Sequence, residues 1–240
     1  MKRIAFVAIV LILAVLAVPS VLAQKVIDRD SVAYGRTYSE WSAAWEQWSY
    51  SIPASQHPLF DNGDCSVGQS GPVWFLGGKF CYNGGTCSYK GVVRSCRVPV
   101  GKALYVAIFN GEDSALEESV AENPGNESAQ QIGFMRSYED AGMSPSTVSF
   151  SVDGVPIMQL KNRFRVQSTA FVFTIPTDNL LAAIYPPGFN NFPAGSYYPA
   201  VDDGWYVMVS PLSLGHHMLH LHGRNGSFVL DVTYHLDVTK

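Results

Sequence analysis

Charge is scarce in this chain. Asp, Glu, Lys and Arg make up 15% of 240 residues, against roughly 25% in an average soluble domain, while 47% are hydrophobic. That balance excludes a disordered or coiled-coil chain and leaves enough apolar side chain for a full core. The 16 Lys and Arg form no dense block and are outnumbered by 20 Asp and Glu, so the basic surface that nucleic-acid binding requires is missing. Beyond residue 23 no apolar run approaches the roughly 20 residues that span a membrane. Also absent are a G-x-S-x-G elbow, a P-loop and an H-E-x-x-H motif.

What is present begins with an address. Lys2 and Arg3, an apolar run from Ile4 to Val18 and the small-residue exit Val21-Leu22-Ala23 read as a signal peptide over residues 1–23. An uncleaved anchor would have to run through Pro19 and Ser20. The expectation is a single β-rich domain over residues 24–240, secreted to the periplasm or beyond, with no membrane attachment after cleavage. Four cysteines, all between Cys65 and Cys96, suit such an oxidising destination. Tyr82-Asn83-Gly84-Gly85-Thr86 reads as a hairpin tip, which favours Cys81–Cys87 and Cys65–Cys96 among the three pairings. A zinc site is disfavoured because no C-x-x-C pair occurs.

Residues 37–50 read as a helix. Trp41, Trp45 and Trp48 recur at i, i+4 and i+7, one helical face, and Thr37 with Glu40 fits a capping box. Each buried indole removes on the order of 150 to 250 Å² from water, so this stripe is expected to dock on the body of the domain. After Ser66 come β-rich runs bounded by Gly, Pro and Asn: Val73–Phe80, Tyr89–Val98, Ala103–Phe109, Thr147–Val152, Val155–Leu160, Phe164–Ile175, Trp205–Ser210, His217–His222 and Phe228–Val238. Their spacing predicts a mainly β fold, a β-sandwich or jelly roll. Residues 114–141, acidic and rich in helix formers, read as a short helical insertion.

The last strand is the clearest. Phe228, Leu230, Val232, Tyr234, Leu236 and Val238 alternate with polar or exposed-face residues, so one face is core. Gly223-Arg224-Asn225-Gly226 signals a hairpin, and a two-residue loop at Arg224-Asn225 or at Asn225-Gly226 pairs odd residues with even ones. His217 therefore points inward with Leu219 and Leu221, whereas His216, Met218, His220 and His222 share the polar face with Asp231 and His235.

The segment Tyr34-Gly35-Arg36-Thr37-Tyr38-Ser39-Glu40-Trp41 with Trp45 and Trp48, the runs Gly71-Pro72-Val73-Trp74-Phe75-Leu76 and Val98-Pro99-Val100-Gly101-Lys102-Ala103-Leu104, and the later stretches Arg165-Val166-Gln167-Ser168, Asp203-Gly204-Trp205-Tyr206 and Gly215-His216-His217-Met218-Leu219-His220 resemble a family of secreted bacterial proteins. The likeness covers nearly the whole mature chain. It implies one secreted β-rich domain and brings no activity or site residues with it.

Three groups of residues are candidates for chemistry. His216, His220, His222 and His235, with Asp231 near, have the strand spacing of a Zn or Cu site, and equally of a solvated face. The aromatic run Tyr185, Phe189, Phe192, Tyr197, Tyr198 and Trp205, interleaved with Pro, Gly and Asn, reads as a loop that either stacks on sugar faces or packs on itself. Glu112-Asp113 and Asp202-Asp203 fit turn or calcium duty taken singly; hydrolysis by paired carboxylates would require a fold that brings the two pairs together. His217 lacks an identifiable nucleophile or acid partner in the sequence. The leading expectation is a secreted, non-catalytic binding or cell-surface protein contacting an extracellular glycan or protein through aromatic loops. The alternatives are a metal-dependent extracellular hydrolase or oxidase built on the histidines, and a structural subunit of an extracellular assembly.

Overall fold

A computed structural model describes residues 26–83, 88–118, 129–188 and 191–240. The expected signal peptide, Cys87 and Phe189 lie outside the described residues.

Helix α1 (Tyr38–Ser51) forms where the tryptophan spacing places it. Thr37 Oγ1 accepts from the Glu40 backbone N–H while the Glu40 carboxylate accepts from the Thr37 N–H at 2.8 Å, which satisfies two donors that the helix start leaves open. Ile52, held extended before Pro53, ends it. Trp41, Trp45 and Trp48 are all buried. Their indole N–H groups donate to the carbonyls of Ala33, Leu76 and Val67, so the burial leaves no ring donor unpaired.

The protein is mainly β, with two mixed five-stranded sheets. Sheet one orders β1 (Val73–Leu76), β3 (Ala103–Ser114), β8 (Gly195–Val209) and β6 (Arg165–Gln167), with β7 (Phe171–Ile175) also on β8. Sheet two orders β2 (Val92–Pro99), β10 (Phe228–Thr239), β9 (Gly215–Asn225), β4 (Thr147–Val152) and β5 (Val155–Pro156). The β1–β3 and β2–β10 pairs are parallel and the others antiparallel. Sheet one lies between α1, which contacts β3, β6, β7 and β8, and sheet two, whose β4 and β9 contact β3. The result is a sandwich-like body with a tryptophan-bearing helix on its outer side. The insertion after β3 is helical where described: α2 (Ala115–Glu118) and α3 (Ala129–Gly142), the latter packed on β3 and β8.

Several elements depart from the sequence reading. The expected strand ending at Phe109 continues to Ser114, and the one expected from Trp205 begins ten residues earlier, at Gly195. Each supplies the other's ladder, and this holds polar residues in strands that their own pattern does not announce. The run Val155–Leu160 becomes the two-residue β5 and then helix α4 (Leu160–Arg163); Phe164–Ile175 divides into β6 and β7; a short α5 (Leu180–Ile184) was not anticipated. The C-terminal hairpin turns at Gly226-Ser227, one residue past the expected Asn225-Gly226 loop and two past Arg224-Asn225, because Asn225 pairs with Phe228. Odd residues still pair with even ones, so the faces are as expected: Leu230, Val232, Tyr234, Leu236 and Val238 are buried. Phe228, at the turn, is 38% exposed. Cys65 and Cys96 are disulfide-bonded, tying the segment after the short helical turns to the middle of β2. Cys81 is also in a disulfide.

One irregularity positions the site. Between Ala107 and Phe109 the β3–β8 register shifts by one residue, a bulge at Ile108. Ahead of it Tyr105 and Ala107 share a face with Tyr206 and Met208; beyond it Asn110 and Glu112 take that face, opposite Gly204 and Asp202. Without the bulge, Gly111 and Asp113 would point there instead. At Gly204 the strands pass so closely that an added Cβ would lie 2.4 Å from Asn110 Cβ and 2.6 Å from its Cα. Gly204→Ala is expected to destabilise by about 1–3 kcal/mol, since backbone cannot yield as a flexible side chain does. An unchanged denaturant midpoint would show that the bulge tolerates movement.

Candidate functional site

The two acidic pairs of the sequence meet. β3 and β8 set Glu112 directly across from Asp202, and Gly111 across from Asp203. Carboxyls from three helices that the sequence did not single out join them: Glu46 from α1, Glu117 from α2 and Glu139 from α3. Alternation distributes the strand members over both faces of the β3–β8 ribbon.

On the α1 face, Asp202 is fully buried. Its Oδ2 accepts from the Ser42 hydroxyl; its Oδ1 accepts from the Tyr206 hydroxyl at 2.6 Å and from Asn110 Nδ2 at 3.5 Å. Glu46, 3% exposed, lies beside Asp202 and accepts from Asn110 Nδ2 on Oε1 at 2.8 Å. Both oxygens of Asp202 accept from donors, whereas one oxygen of Glu46 is so engaged. Burial and the neighbouring Asp202 charge push Glu46 well above the carboxylate range. Burial pushes Asp202 up to about 7, against the pull of its three donors.

Glu112 and Glu117 repeat the arrangement. Glu117 accepts from the Ser114 hydroxyl at 2.6 Å and the Tyr185 hydroxyl at 2.7 Å, one on each oxygen. Glu112 Oε2 accepts from Tyr50, and its buried Oε1 has no donor directed at it. Burial and the Glu117 and Glu46 charges push Glu112 well above the carboxylate range, and burial raises Glu117 as well, against the pull of its two hydroxyl donors.

On the opposite face, burial with the Glu118 and Glu117 charges pushes Asp113 up to about 8, and its Oδ2 is likewise without a donor. Burial with the Asp113 and Asp202 charges does the same to Glu139. Asp203 differs because it has a cation: Arg165 holds it through two bonds of 2.9 Å, with Gln167 at 3.0 Å. Among the described residues the other six carboxyls have no such partner. Buried acids without counter-ions weaken a fold and are therefore candidates for function.

A cavity of about 100 Å³ borders the α1 side of this network. Trp45, Phe80, Phe109 and Phe228 are among its walls, and Asn110, already bonded to Glu46 and Asp202, supplies its amide. Lys79 lies at the lining with its ammonium 2.6 Å from Asp61.

The other sequence candidates are arranged differently. The aromatic run is packed rather than presented. Trp205 is buried against Phe109 and donates to the Lys161 carbonyl; Phe192 is buried and stacks on Tyr185; Tyr197 packs on Phe173. Tyr198, at 38%, is the most open of the described members, and much of the expected loop is strand β8. Tyr185 does reach the site, through its bond to Glu117.

His216, His220, His222 and His235 share the outer face of sheet two, as alternation predicts, yet they do not converge. His220 and His222 lie 3.4 and 3.3 Å from one oxygen of Asp231, while His216 stands by Asp237 at 3.5 Å. Among the described residues no three His, Cys, Asp or Glu side chains are grouped to hold a metal. His217 turns inward as expected and finds partners that the sequence did not reveal: Asp153 at 2.7 Å through Nδ1 and the Ser213 carbonyl at 3.0 Å through Nε2. Asp153 is fixed in turn by the Met218 N–H, so this histidine ties the β4–β5 turn to the start of β9.

The missed residues carried a faint signal. Glu46 sits between Trp45 and Trp48 in the stripe, an acid on a helix that sequence patterning treats only as an aromatic face. No family model, no curated protein and no solved structure matches the chain.

Proposed function

We propose that this is a secreted hydrolase acting on an extracellular glycan by general acid–base catalysis, with carboxyls of this cluster as its machinery. The observation that carries this reading is the gathering of Glu46, Asp202, Glu112 and Glu117 in one cluster, buried or half-buried and, among the described residues, without a cationic partner. Glycosidic cleavage requires one carboxyl that keeps its proton near neutrality to protonate the leaving oxygen, and a second that is ionised to act as base or nucleophile. Glu112 and Glu46 have the environment of the first; Asp202, at about 7, and Glu117, raised by burial but accepting from two hydroxyls, are less strongly raised and serve as the second once ionised. The Cys65–Cys96 disulfide fits an oxidising compartment, and no helix among the described residues is long and apolar enough to cross a membrane. Both accord with export to the periplasm or the medium.

The test is hydrolysis by the purified, untagged protein of chromogenic glycosides and insoluble glycans between about pH 4 and 8, where carboxyl-based acid catalysis operates. Cleavage is expected, with Glu112→Gln reducing the rate about 100-fold or more while the fold is retained. A wild-type protein that cleaves no glycan, or a folded Glu112→Gln that cleaves at the wild-type rate, overturns the reading.

A further inference from the structure

We propose that the cavity beside Asn110 is a subsite for the acetamido arm of an N-acetylated sugar, so that the glycan acted on contains N-acetylhexosamine. This rests on the reading above for the reaction, but the binding itself stands on separate observations. The first is size. About 100 Å³ holds roughly three waters at about 30 Å³ each, well below the roughly 300 Å³ of the smallest ligand pockets, so the cavity fits a substituent and not a whole ring.

The second is chemistry. Trp45, Phe80, Phe109 and Phe228 give it apolar walls, which suit a methyl group. Among the described residues the one cation at its lining, Lys79, is paired with Asp61, so these offer no free charge to an anionic substituent. Asn110 supplies the polar contact. Its Nδ2 is engaged by Glu46 and Asp202, and among the described residues no donor reaches its Oδ1. The atom left for a ligand is therefore an acceptor. An acetamido group brings an N–H donor and a methyl on one small planar unit; a hydroxymethyl arm brings the donor without the methyl, and a carboxylate brings neither. Because the same Asn110 amide donates to both Glu46 and Asp202, an occupant of this cavity is one side chain away from the carboxyl cluster.

The experiment is a titration of the isotopically labelled full chain with N-acetylglucosamine, and separately with glucose and with acetate, followed by NMR at the Asn110 side-chain amide and the Trp45 indole N–H. N-acetylglucosamine is expected to shift both signals with an affinity at least tenfold above that for glucose, and acetate to leave them in place. Leu230→Phe, which fills the cavity from a lining position, should abolish the response. Should that variant not fold, Phe228→Ala, which removes a half-exposed wall, should weaken it severalfold. Equal response to glucose, or no response at Asn110 and Trp45, overturns the subsite. The two proposals fail separately: glycan cleavage without N-acetylglucosamine binding sinks the subsite alone, whereas binding without cleavage sinks the hydrolase and leaves the subsite.

Discussion

Between about pH 5 and about pH 9 the unfolding midpoint of this protein is expected to fall by about 10 °C, the reverse of what paired carboxylates produce. Asp202 titrates near 7 and Asp113 and Glu139 near 8 in the folded chain, all raised first by burial. In the unfolded chain such groups titrate near 4. Below that both states hold the protons, and the contribution to stability is fully present. As pH climbs past 4 the unfolded chain releases protons that the folded chain keeps, so stability drains away until the folded groups also ionise, at 7 to 8. Two features limit the acid side. Asp61, clamped by Lys79 and Arg94, is depressed, and its contribution is lost as pH falls through the carboxylate range. Buried His57 is lowered to about 4, so the stability it lends is present above about 6.5 and lost toward 4. Three raised carboxyls outweigh one lowered histidine, so the optimum is placed at about pH 4. Differential scanning calorimetry in buffers of equal ionic strength measures this; a midpoint that is flat or rises from pH 5 to 9 would show that the carboxyls are ionised and compensated in the fold.

Glu46→Gln is expected to separate stability from activity. The amide keeps the acceptor oxygen that Asn110 uses and puts an N–H donor in place of the carboxyl proton, so that bond survives without a titrating group. At about pH 8 the variant should be more stable than the wild type by about 1–3 kcal/mol, because removal of an uncompensated buried acid relieves a desolvation penalty. Its stability should also depend less steeply on pH. Hydrolysis, by contrast, should drop about 100-fold or more, since an amide cannot exchange the proton. Chemical denaturation and initial rates on one preparation check both. A variant that is less stable at pH 8 would mean that Glu46 is ionised and held by groups that need its charge, and an unchanged rate would remove it from the chemistry.

Much of the scaffold was open to reading from the chain itself. The helix was legible because three indoles at helical spacing and a capping box state both its face and its start. The C-terminal hairpin was legible because strand periodicity is two, and any even-length loop preserves which residues face inward; the slip to Gly226-Ser227 therefore changed the turn but not the sorting. The Cys65–Cys96 bond is the one favoured among the three pairings once Cys81 is set with Cys87, a residue outside the described ones. The ends of β3 and β8 were not, because Asn110–Ser114 and Gly195–Gly204 carry polar, glycine and proline residues that read as loop until a partner strand supplies their hydrogen bonds.

What the amino-acid order determined by itself, then, is the set of elements whose apolar period is strong enough to announce a buried face: the tryptophan helix, the alternating strands, the inward turn of His217. What only the tertiary structure decided is where the acids go. A single extra residue at Ile108 moves Asn110 and Glu112 onto the face that Asp202 and α1 share, and no local pattern encodes a register that depends on a strand some ninety residues away. Burial is a property of the assembled layers. The same glutamate is an ordinary solvated charge on an isolated helix and a proton carrier once the sheet, a second carboxyl and an amide close around it.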